Sequence, residues 1–272
     1  MRKPIVAGSF YPDDKKELEK AVTRYLSKKK ENIQAVIAPH AGYIYSGKLA
    51  GDVIGRIIDK KDFIILGVNH SGLGSKVSFS LSDFETPLSI VKNNKALTEK
   101  IMQKLKKQKL DANISEEAHN HEHSIEVQLP FLQKSQKKFE IIPILFQGLS
   151  YEDCKKIAEV LAEFVDNNVC VLVSSDFTHF GRSYGFIPFA NNVKDNLYKL
   201  DNEVIFEIIK LDSKGVFDKA IKTTICGLYG ITIITEIAKI KKMKPKLLDY
   251  YTSGDITKDY TNAVGYAGII FY

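Results

Sequence analysis

The chain has 272 residues, 44% of them apolar, and its 39 Lys and Arg residues outnumber its 33 Asp and Glu residues by six. This length and apolar content predict a single α/β domain, residues 1–272, with a large buried core. The excess positive charge is spread among mixed-sign segments, and the lysine-rich run KLKKQK contains no aromatic residues. We therefore expect a solvated helix face and no nucleic-acid partner.

The predicted elements alternate between helices and strands. The helices, in chain order, are predicted at 14–29, 47–58, 95–107, 125–132, 152–164, 193–209 and from about 226 onwards. The strands are predicted at 33–38, 63–68, 77–80, 88–91, 140–145, 170–174, 248–252 and 268–272. This alternation predicts a mainly parallel or mixed central sheet with helices on both faces.

The cysteines and the N-terminal segment both indicate where in the cell the protein is expected. Cys154, Cys170 and Cys226 are odd in number and form no CxxC pair, which predicts free thiols in a reducing compartment. The apolar stretch near the N-terminus is too short for a signal-peptide core, and no apolar run approaches the length of a membrane span. These features predict a cytoplasmic protein with no membrane partner.

Polar side chains follow three of the predicted strands at the point where each strand ends. His40 stands in PHAGY, His70 in VNHSG, and Asp176 and His179 in SSDFTHFG. Open α/β sheets bind ligands beyond the carboxyl ends of their strands, so these residues are expected to share one cleft. Imidazole is the commonest metal ligand, and two imidazoles need a further donor to hold an ion. The pattern predicts a metal or catalytic site.

Three residues are candidates for the third donor: Asp176, Glu126 and Cys226. Cys226 stands in KTTICGLYG, where threonines give way to an apolar segment. A thiol at a helix N-terminus has a lowered pKa and becomes a better ligand or nucleophile. A free cysteine is also often just a small buried apolar residue. Residue type alone leaves the choice of donor open.

The segment HNHEHSIEVQLP contains His119, His121, His123 and Glu126. It predicts either a solvated helix entrance or one wall of the site. It is not an H-E-x-x-H zinc motif, because Ile125 stands where the second histidine would be. The run GVNHSGLGSK lacks the ending of a phosphate loop, and the dinucleotide motif GxGxxG and the hydrolase motif GxSxG are absent.

Several longer motifs, taken together, resemble one known family. In chain order they are RKPIVAGSFYP, APHAGYIYSG, GVNHSG, EHSIEVQLPFL, SSDFTHFG, TTICG and AVGYAGIIF. In all of them the chain is similar to the Memo family, whose bacterial and archaeal members are also called AmmeMemoRadiSam system protein B. The similarity runs essentially from end to end.

The resemblance implies a fold similar to that of the class III extradiol dioxygenases, with a metal-sized pocket at one end of an α/β sheet. It implies that His40, His70 and Cys226 bind one transition-metal ion, iron or copper, with zinc as a further option. Extradiol dioxygenases hold Fe(II) with two histidines and a carboxylate. Because the matching third donor here is a thiolate, cleavage of catechol rings is not expected.

The resemblance also implies roles for other residues of the same pocket. Asp176 and His179 match polar pocket residues and are the predicted catalytic residues. His123, Glu126 and Tyr43 are predicted to contact the substrate or to support the metal ligands. In this interpretation His179 acts as acid or base and Asp176 orients it.

Two main function classes follow. The first is a metal-dependent oxidoreductase related to the non-haem dioxygenases. The second is a non-enzymatic protein that binds a metal, a small molecule or a peptide, since a Memo relative is associated with phosphotyrosine-peptide recognition. Tyr43, Tyr45 and Lys48 are the residues expected to serve that binding.

A third class is a cysteine hydrolase. Cys226 would be its nucleophile, His179 or His40 its base, and Asp176 the residue that orients the base. The family name further implies association with a radical-SAM protein and an AMMECR-type protein. Metal content is the property that separates the hydrolase from the other two classes.

Overall fold

The computed structural model describes residues 1–272 and consists of eleven strands and ten α-helices. The strands are β1 Ala35–Ala38, β2 Asp62–Val68, β3 Val77–Phe79, β4 Phe84–Glu85, β5 Ile90–Asn93, β6 Ala112–Ile114, β7 Glu140–Phe146, β8 Val169–Ser174, β9 His179–Gly181, β10 Pro245–Thr252 and β11 Asn262–Phe271. The helices are α1 Lys15–Tyr25, α2 Tyr43–Gly55, α3 Lys95–Lys107, α4 Glu116–Asn120, α5 Leu129–Ser135, α6 Tyr151–Ala162, α7 Val193–Ile209, α8 Ser213–Ala220, α9 Leu228–Ile240 and α10 Ser253–Thr257.

The strands form one mixed sheet whose four central members, in the order β1, β8, β2, β7, run parallel to one another. On one side, β11 pairs with β1 and β10 pairs with β11, both antiparallel. On the other side, β3 runs antiparallel to β7 and β6 runs parallel to β3. The prediction of an α/β fold with a mixed central sheet is confirmed. The sheet is mixed rather than mainly parallel, because β11 and β3, the strands next to the parallel centre, run against it.

Alternate residues of the central strands enter two separate cores, because side chains in a strand point to opposite faces. In β1, Ala35 and Ile37 pack in the core beneath α3, α6, α7, α8 and α9. Val36 and Ala38 pack in the core beneath α1, α2 and α5. A strand covered on both faces reads as a continuous apolar run. This is why the sequence locates β1, β2, β7 and β8 to within a few residues.

Helix α2 begins four residues earlier than predicted, at Tyr43 rather than at position 47. Its glycines bring it close to α1. A Cβ on Gly51 would lie 2.7 Å from Cβ of Tyr25, and one on Gly55 would lie 2.5 Å from the main-chain nitrogen of Ser27. The glycines therefore allow α2 to pack directly on the end of α1, although glycine weakens the helical pattern in the sequence. Helix α2 begins only three residues after His40, at Tyr43.

Strand β11 is longer than predicted for a similar reason. It covers Asn262–Phe271 rather than 268–272, and Gly265 lies in its first half. A Cβ on Gly265 would lie 2.2 Å from Oδ2 of Asp201, so the glycine makes room for a buried carboxylate. The predicted helix 125–132 divides into a 3-10 turn, Glu126–Gln128, and α5. The sequence pattern does not predict β4, β6, β9, α4, α8 or α10, all of eight residues or fewer.

Two further properties of the chain concern its helices and its cysteines. No helix combines the length and the apolar composition that crossing a membrane requires. The three cysteines are free thiols, and Cys154 and Cys170 are buried in the two cores. Cys226 is the only one that is partly exposed.

Candidate functional site

Three neighbouring parallel strands each place a polar residue at the same edge of the sheet. His40 follows β1, Asp176 follows β8 and His70 follows β2, and each residue stands two positions after the last residue of its strand. Because β1, β8 and β2 are adjacent and parallel, these positions lie side by side. The predicted convergence of strand ends is confirmed.

Cys226 also lies at this edge of the sheet, although it is distant in sequence; it stands two residues before the start of α9. Its sulfur accepts a hydrogen bond from the main-chain nitrogen of Asp176 at 3.2 Å and lies 3.8 Å from Oγ of Ser175. The next residue, Gly227, packs so closely on Ser175 that a Cβ there would lie 2.3 Å from the Ser175 hydroxyl oxygen. The turn is therefore pressed against the end of β8, and this contact fixes the position of the thiol.

His40, His70 and Cys226 form what we call the donor cluster. Each residue offers one ligand atom, and these atoms all lie within 4.8 Å of one another. Nε2 of His40 is 3.4 Å from Sγ of Cys226. The rings of His40 and His70 are 5.6 Å apart, centre to centre, and nearly perpendicular at 85°. Two imidazoles and one thiol therefore converge on one point.

The hydrogen bonds behind His40 determine which of its ring nitrogens carries the proton. The hydroxyl of Ser174 donates to the carbonyl oxygen of Ser124 at 2.6 Å. Its oxygen accepts from Nε2 of Gln128 at 2.9 Å, so it can serve Nδ1 of His40, at 3.1 Å, only as a second acceptor. His40 thus holds a proton at Nδ1. Nε2 is the atom that faces the sulfur of Cys226: it presents a lone pair when the ring is neutral and donates a hydrogen bond to the sulfur when the ring is protonated.

Charge separation within the donor cluster favours a thiolate. Burial by itself would raise the pKa of Cys226, but the charge of His40 and hydrogen bonds from His40 and His70 lower this pKa to about 7. Burial opposes the charged form of His70, whereas its contacts with Cys226 and Glu122 raise its pKa to about 10. The two imidazoles thus outweigh the effect of burial on the cysteine pKa. The sulfur is suited to act as a metal ligand or as a nucleophile.

His40 and His70 of the donor cluster line a cleft of about 540 Å³, and Cys226 lies behind them, in contact with His40. His40, His70, His123, Asp176 and His179 all contribute to its wall. The remaining wall is largely aromatic and polar, and it consists of Ser9, Phe10, Ala41, Gly42, Ile44, Tyr45, Tyr184, Ser253, Thr257, Asp259, Asn262, Val264 and Tyr266. A cleft of this size holds a small molecule or a short side chain.

Comparison with known proteins agrees with this arrangement. The family model described as Memo-like protein matches residues 2–270. The MEMO1 family protein of Aquifex aeolicus is 37% identical over 280 residues, which cover 100% of this chain and 99% of that protein. The MEMO1 family protein of Pyrococcus furiosus is 35% identical over 293 residues, with 99% and 98% covered. The chain belongs to the Memo family. The resemblance found in the sequence motifs is thereby confirmed.

In this Memo-family chain, His179 faces the cleft but lies outside the donor cluster. Its Nδ1 is 3.1 Å from the carbonyl oxygen of Thr224, which can only accept, so the proton is on Nδ1 and Nε2 is free. Asp176 was expected to orient His179, and the structure corrects this. Oδ1 of Asp176 instead accepts from the main-chain nitrogen of His40 at 2.8 Å. Burial raises the pKa of Asp176, although the charge of His179 acts in the opposite direction.

His123 also faces the cleft, as predicted for a residue that contacts substrate or supports the ligands. Its ring stacks on His70 at 5.0 Å with an angle of 15° between the planes. Phe10 packs edge-on against the other side of His123 at 4.9 Å. Burial, followed by the charge of His40, lowers the pKa of His123 to about 3, so its imidazole is neutral at physiological pH.

Two residues predicted to lie near the substrate are placed elsewhere. Glu126 does not line the cleft: its carboxylate bonds to Arg2 and Tyr11 and to the main-chain nitrogen of Ile5. It is therefore not the third donor. Tyr43 is buried, and its hydroxyl donates to the carbonyl oxygen of Val127 at 2.8 Å.

Most of the other candidate residues of the HNHEHS segment and of α2 also lie outside the cleft. His119 is fully buried against Ser78, and His121 is exposed outside the cleft. Lys48 is exposed and does not line the cleft, whereas Tyr45 does. Of the three residues expected to serve a phosphopeptide, only Tyr45 is in position to do so.

Sequence reasoning did not identify three residues that hold the imidazoles. Ser174 bonds to His40, Thr224 to His179 and Glu122 to His70. Ser174 and Thr224 give no signal in the sequence, because a hydroxyl or carbonyl partner could stand anywhere. Glu122 does stand among the clustered histidines of HNHEHS, and this position is the one signal that could have indicated it.

Proposed function

We propose that this Memo-family protein binds one iron or copper ion through His40, His70 and Cys226 and acts as a metal-dependent oxidoreductase. The observation that carries the proposal is the donor cluster itself, with its three ligand atoms within 4.8 Å of one another. A tetrahedral ion with nitrogen and sulfur ligands at about 2.0 and 2.3 Å places those two atoms about 3.5 Å apart. Nε2 of His40 and Sγ of Cys226 are 3.4 Å apart.

The chemistry of the donors supports a redox metal. Imidazole suits iron, copper and zinc, and thiolate favours soft ions such as Cu(I) as well as zinc and iron. Bound iron or copper would supply one-electron redox chemistry, which zinc cannot. The lowered pKa of Cys226 favours the thiolate form that a ligand needs. We therefore place iron and copper before zinc.

The side chains around the donor cluster have three different roles in this proposal. Asp176 holds the main chain of His40 in place and so fixes where that ring enters the cleft. His179 has its free Nε2 in the same cleft, where it can take a proton from a bound molecule or return one to it. Phe10 packs on His123, whose ring stacks on His70, so these two side chains form the wall of the cleft beside the donor cluster.

The fold class of the protein is part of the same proposal. A mixed sheet with helices on both faces and a cleft beyond the ends of its parallel strands supports kinship with the class III extradiol dioxygenases. The third donor differs, however, because a thiolate stands in place of a carboxylate. A softer donor set disfavours catechol chelation by a hard Fe(II) centre. We expect redox cycling with dioxygen or a thiol reductant, and no appreciable ring cleavage of simple catechols.

Metal content tests the proposal directly. Protein purified without chelators is analysed by elemental analysis, beside Cys226→Ala and His40→Ala. Each change should lower the affinity for the ion roughly 10-fold or more, because two donors hold a first-row ion poorly against water. Cys154→Ala is the matched control: it makes the same substitution at a buried cysteine of the core and should leave the affinity unchanged.

The activity is tested by anaerobic reconstitution with each metal, followed by oxygen uptake with and without catechols. Equal metal affinity in Cys226→Ala and Cys154→Ala would remove Cys226 from the proposed ligands. Ring cleavage at an enzyme-like rate, on the order of 1 s⁻¹, would restore the dioxygenase interpretation. Metal binding without redox turnover would favour the non-enzymatic binding protein.

The contact between Cys226 and His40 favours a second candidate, a cysteine hydrolase. Nε2 of His40 is the ring atom nearest to the sulfur, so it would be the base, and Ser174 rather than Asp176 would orient the ring. The two candidates predict opposite effects of metal. Bound metal should protect Cys226 from alkylation in the first, whereas a hydrolase should be inhibited by the metal and active without it.

A further inference from the structure

Glu122 is a buried carboxylate that neither the sequence motifs nor the proposed metal ligands account for. It follows α4, and its side chain is 1% exposed. Oε1 accepts from the main-chain nitrogens of His123 at 2.8 Å and Ser124 at 2.7 Å. Oε2 accepts from the main-chain nitrogen of His70 at 2.8 Å. Both oxygens lie 3.1 Å from Nδ1 of the same histidine.

These contacts decide the direction of the bond to the His70 ring. A main-chain N–H can only donate, and three such groups already point at the two oxygens of Glu122. The carboxylate is therefore placed as an acceptor on all sides. Its contact with Nδ1 of His70 is a hydrogen bond only if Nδ1 carries the proton.

We propose that Glu122 is a positioning residue, which keeps a proton on Nδ1 of His70 and turns the Nε2 edge of the ring toward His40 and Cys226. Glu122 accepts hydrogen bonds from both the main chain and the ring of His70, so it fixes the position of the residue and the rotation of its ring together. A ring nitrogen that is hydrogen-bonded in this way leaves the other nitrogen as the available ligand atom. Only the use of that atom to bind a metal rests on the proposed function.

A second metal ion is the competing explanation for the same residues. One ligand atom each from His70, Glu122 and His123 also lie within 4.8 Å of one another. An ion there would have to displace main-chain N–H groups from the carboxylate, and each displaced N–H would be left buried without a partner. Glu122 instead bonds to the ring of His70 and to the main-chain nitrogens of His70, His123 and Ser124, and is fully bonded without an ion.

The test begins with metal-free protein labelled with ¹⁵N in its histidines, whose ring-nitrogen shifts separate protonated from unprotonated nitrogen. In the wild type, Nδ1 of His70 should be protonated throughout the pH range in which the protein is folded. In Glu122→Gln, the one remaining oxygen has both lone pairs engaged by the main-chain nitrogens of His123 and Ser124, and the NH₂ group at the other position cannot accept a hydrogen bond. Nδ1 of His70 should then lose its proton in the neutral ring, and Nε2 should gain it.

Glu116→Gln is the matched control. Glu116 is a neighbouring half-buried carboxylate that bonds to Ser80 and to the main-chain nitrogen of Leu81, with no contact to an imidazole of the cleft. It should leave the His70 shifts unchanged. Affinity for added Zn²⁺, used as a probe ion, should fall about 10- to 100-fold in Glu122→Gln and not in Glu116→Gln.

The outcomes separate this proposal from the metal-dependent function. A neutral His70 that keeps its proton on Nδ1 in Glu122→Gln would overturn the positioning role, whatever the metal result. If Glu122→Gln does not fold, an unprotonated Nδ1 in the wild type would overturn it equally. If the proton moves as expected but neither protein binds any metal, Glu122 positions the ring and the proposed metal function is wrong. Uptake of two Zn²⁺ ions by the wild type, with the second lost in Glu122→Gln, would establish the second metal site instead.

Discussion

Two polar regions of this Memo-family protein both contact Glu122, yet they differ in how many of their side-chain atoms are already bonded within the protein. In the N-terminal cluster, which consists of Arg2, Tyr11 and Glu126, every charged or hydroxyl group is bonded within the protein. In the donor cluster, the atoms that converge on one another are free ring nitrogens and a thiol. Burial of charge alone does not mark a functional site. Unused ligand capacity that faces a cleft does.

The N-terminal cluster explains why Glu126 is structural. Arg2 and Glu126 form an ion pair in which both side chains are 0% exposed, and Arg2 also donates to the carbonyl oxygens of His119 and Glu122. The first residues of the chain are thereby tied to the loop that carries Glu122 and His123. Ser9 and Phe10, a few residues further on, form part of the cleft wall. The cluster thus stabilises the site without taking part in its chemistry.

The largest expected effect is on stability, in Glu126→Gln. Removing one charge of a buried pair leaves Arg2 uncompensated and should lower the free energy of unfolding by about 3–5 kcal/mol. Urea denaturation measures the change. Asp218→Asn is the control: it breaks an exposed pair with Lys214 and should cost less than about 1 kcal/mol. Equal losses in the two variants would show that the N-terminal cluster is not the stabilising region we describe.

Asp201 provides a third case for the comparison, because its buried carboxylate forms no ion pair, unlike Glu126 with Arg2. It accepts hydrogen bonds from Thr178 and Tyr250, and burial raises its pKa to about 6 although these bonds lower it. The folded protein therefore holds a proton that the unfolded chain, with an Asp pKa of about 3.9, releases more easily. The stabilisation from this proton is complete below about pH 4 and is lost as the pH rises to about 6.

The expected loss from Asp201 is roughly 3 kcal/mol between pH 4 and pH 7, from two pKa units at about 1.4 kcal/mol each. Urea denaturation of the wild type and of Asp201→Asn at both pH values isolates it. The wild type should lose about that much more than the variant over this interval. Parallel pH profiles in the two proteins would contradict a raised pKa for Asp201.

The sequence pattern predicts the two histidines of the donor cluster better than the groups that support them, and Cys226 is assigned only through the resemblance to the Memo family. Buried parallel strands are continuous apolar runs, so the ends of β1, β2 and β8 can be read directly, and His40, His70 and Asp176 follow at once. Glu122 and Ser174 could not be assigned, because their roles depend on which side chains meet across the fold. Gly265 lies in the part of β11 that is not predicted, since it serves close packing rather than a turn.

His179 tests whether a free nitrogen in the cleft acts on a bound molecule rather than on the ion. In His179→Ala, redox turnover should fall about 100-fold, equivalent to roughly 2.7 kcal/mol, since the proton acceptor is lost. Metal content should remain that of the wild type, because His179 lies outside the donor cluster. His121→Ala, at an exposed histidine outside the cleft, is the control and should change neither quantity. Loss of metal together with turnover would instead make His179 a ligand.

The smallest expected effect concerns Ser174, the neutral counterpart of Glu122. Ser174→Ala removes the acceptor for Nδ1 of His40 and leaves Nε2 of Gln128 without one of its two partners. The ring of His40 then loses its fixed tautomer, and the affinity for metal should fall about 10-fold. This loss should be no larger than that in Glu122→Gln, because a neutral acceptor holds a ring N–H less strongly than a carboxylate does. Chelator competition measures both affinities, with Ser78→Ala as a control at a fully buried serine outside the site. Should Ser174→Ala bind metal as tightly as Ser78→Ala, the tautomer of His40 would be set by the ion itself and not by the hydrogen bonds behind the ring.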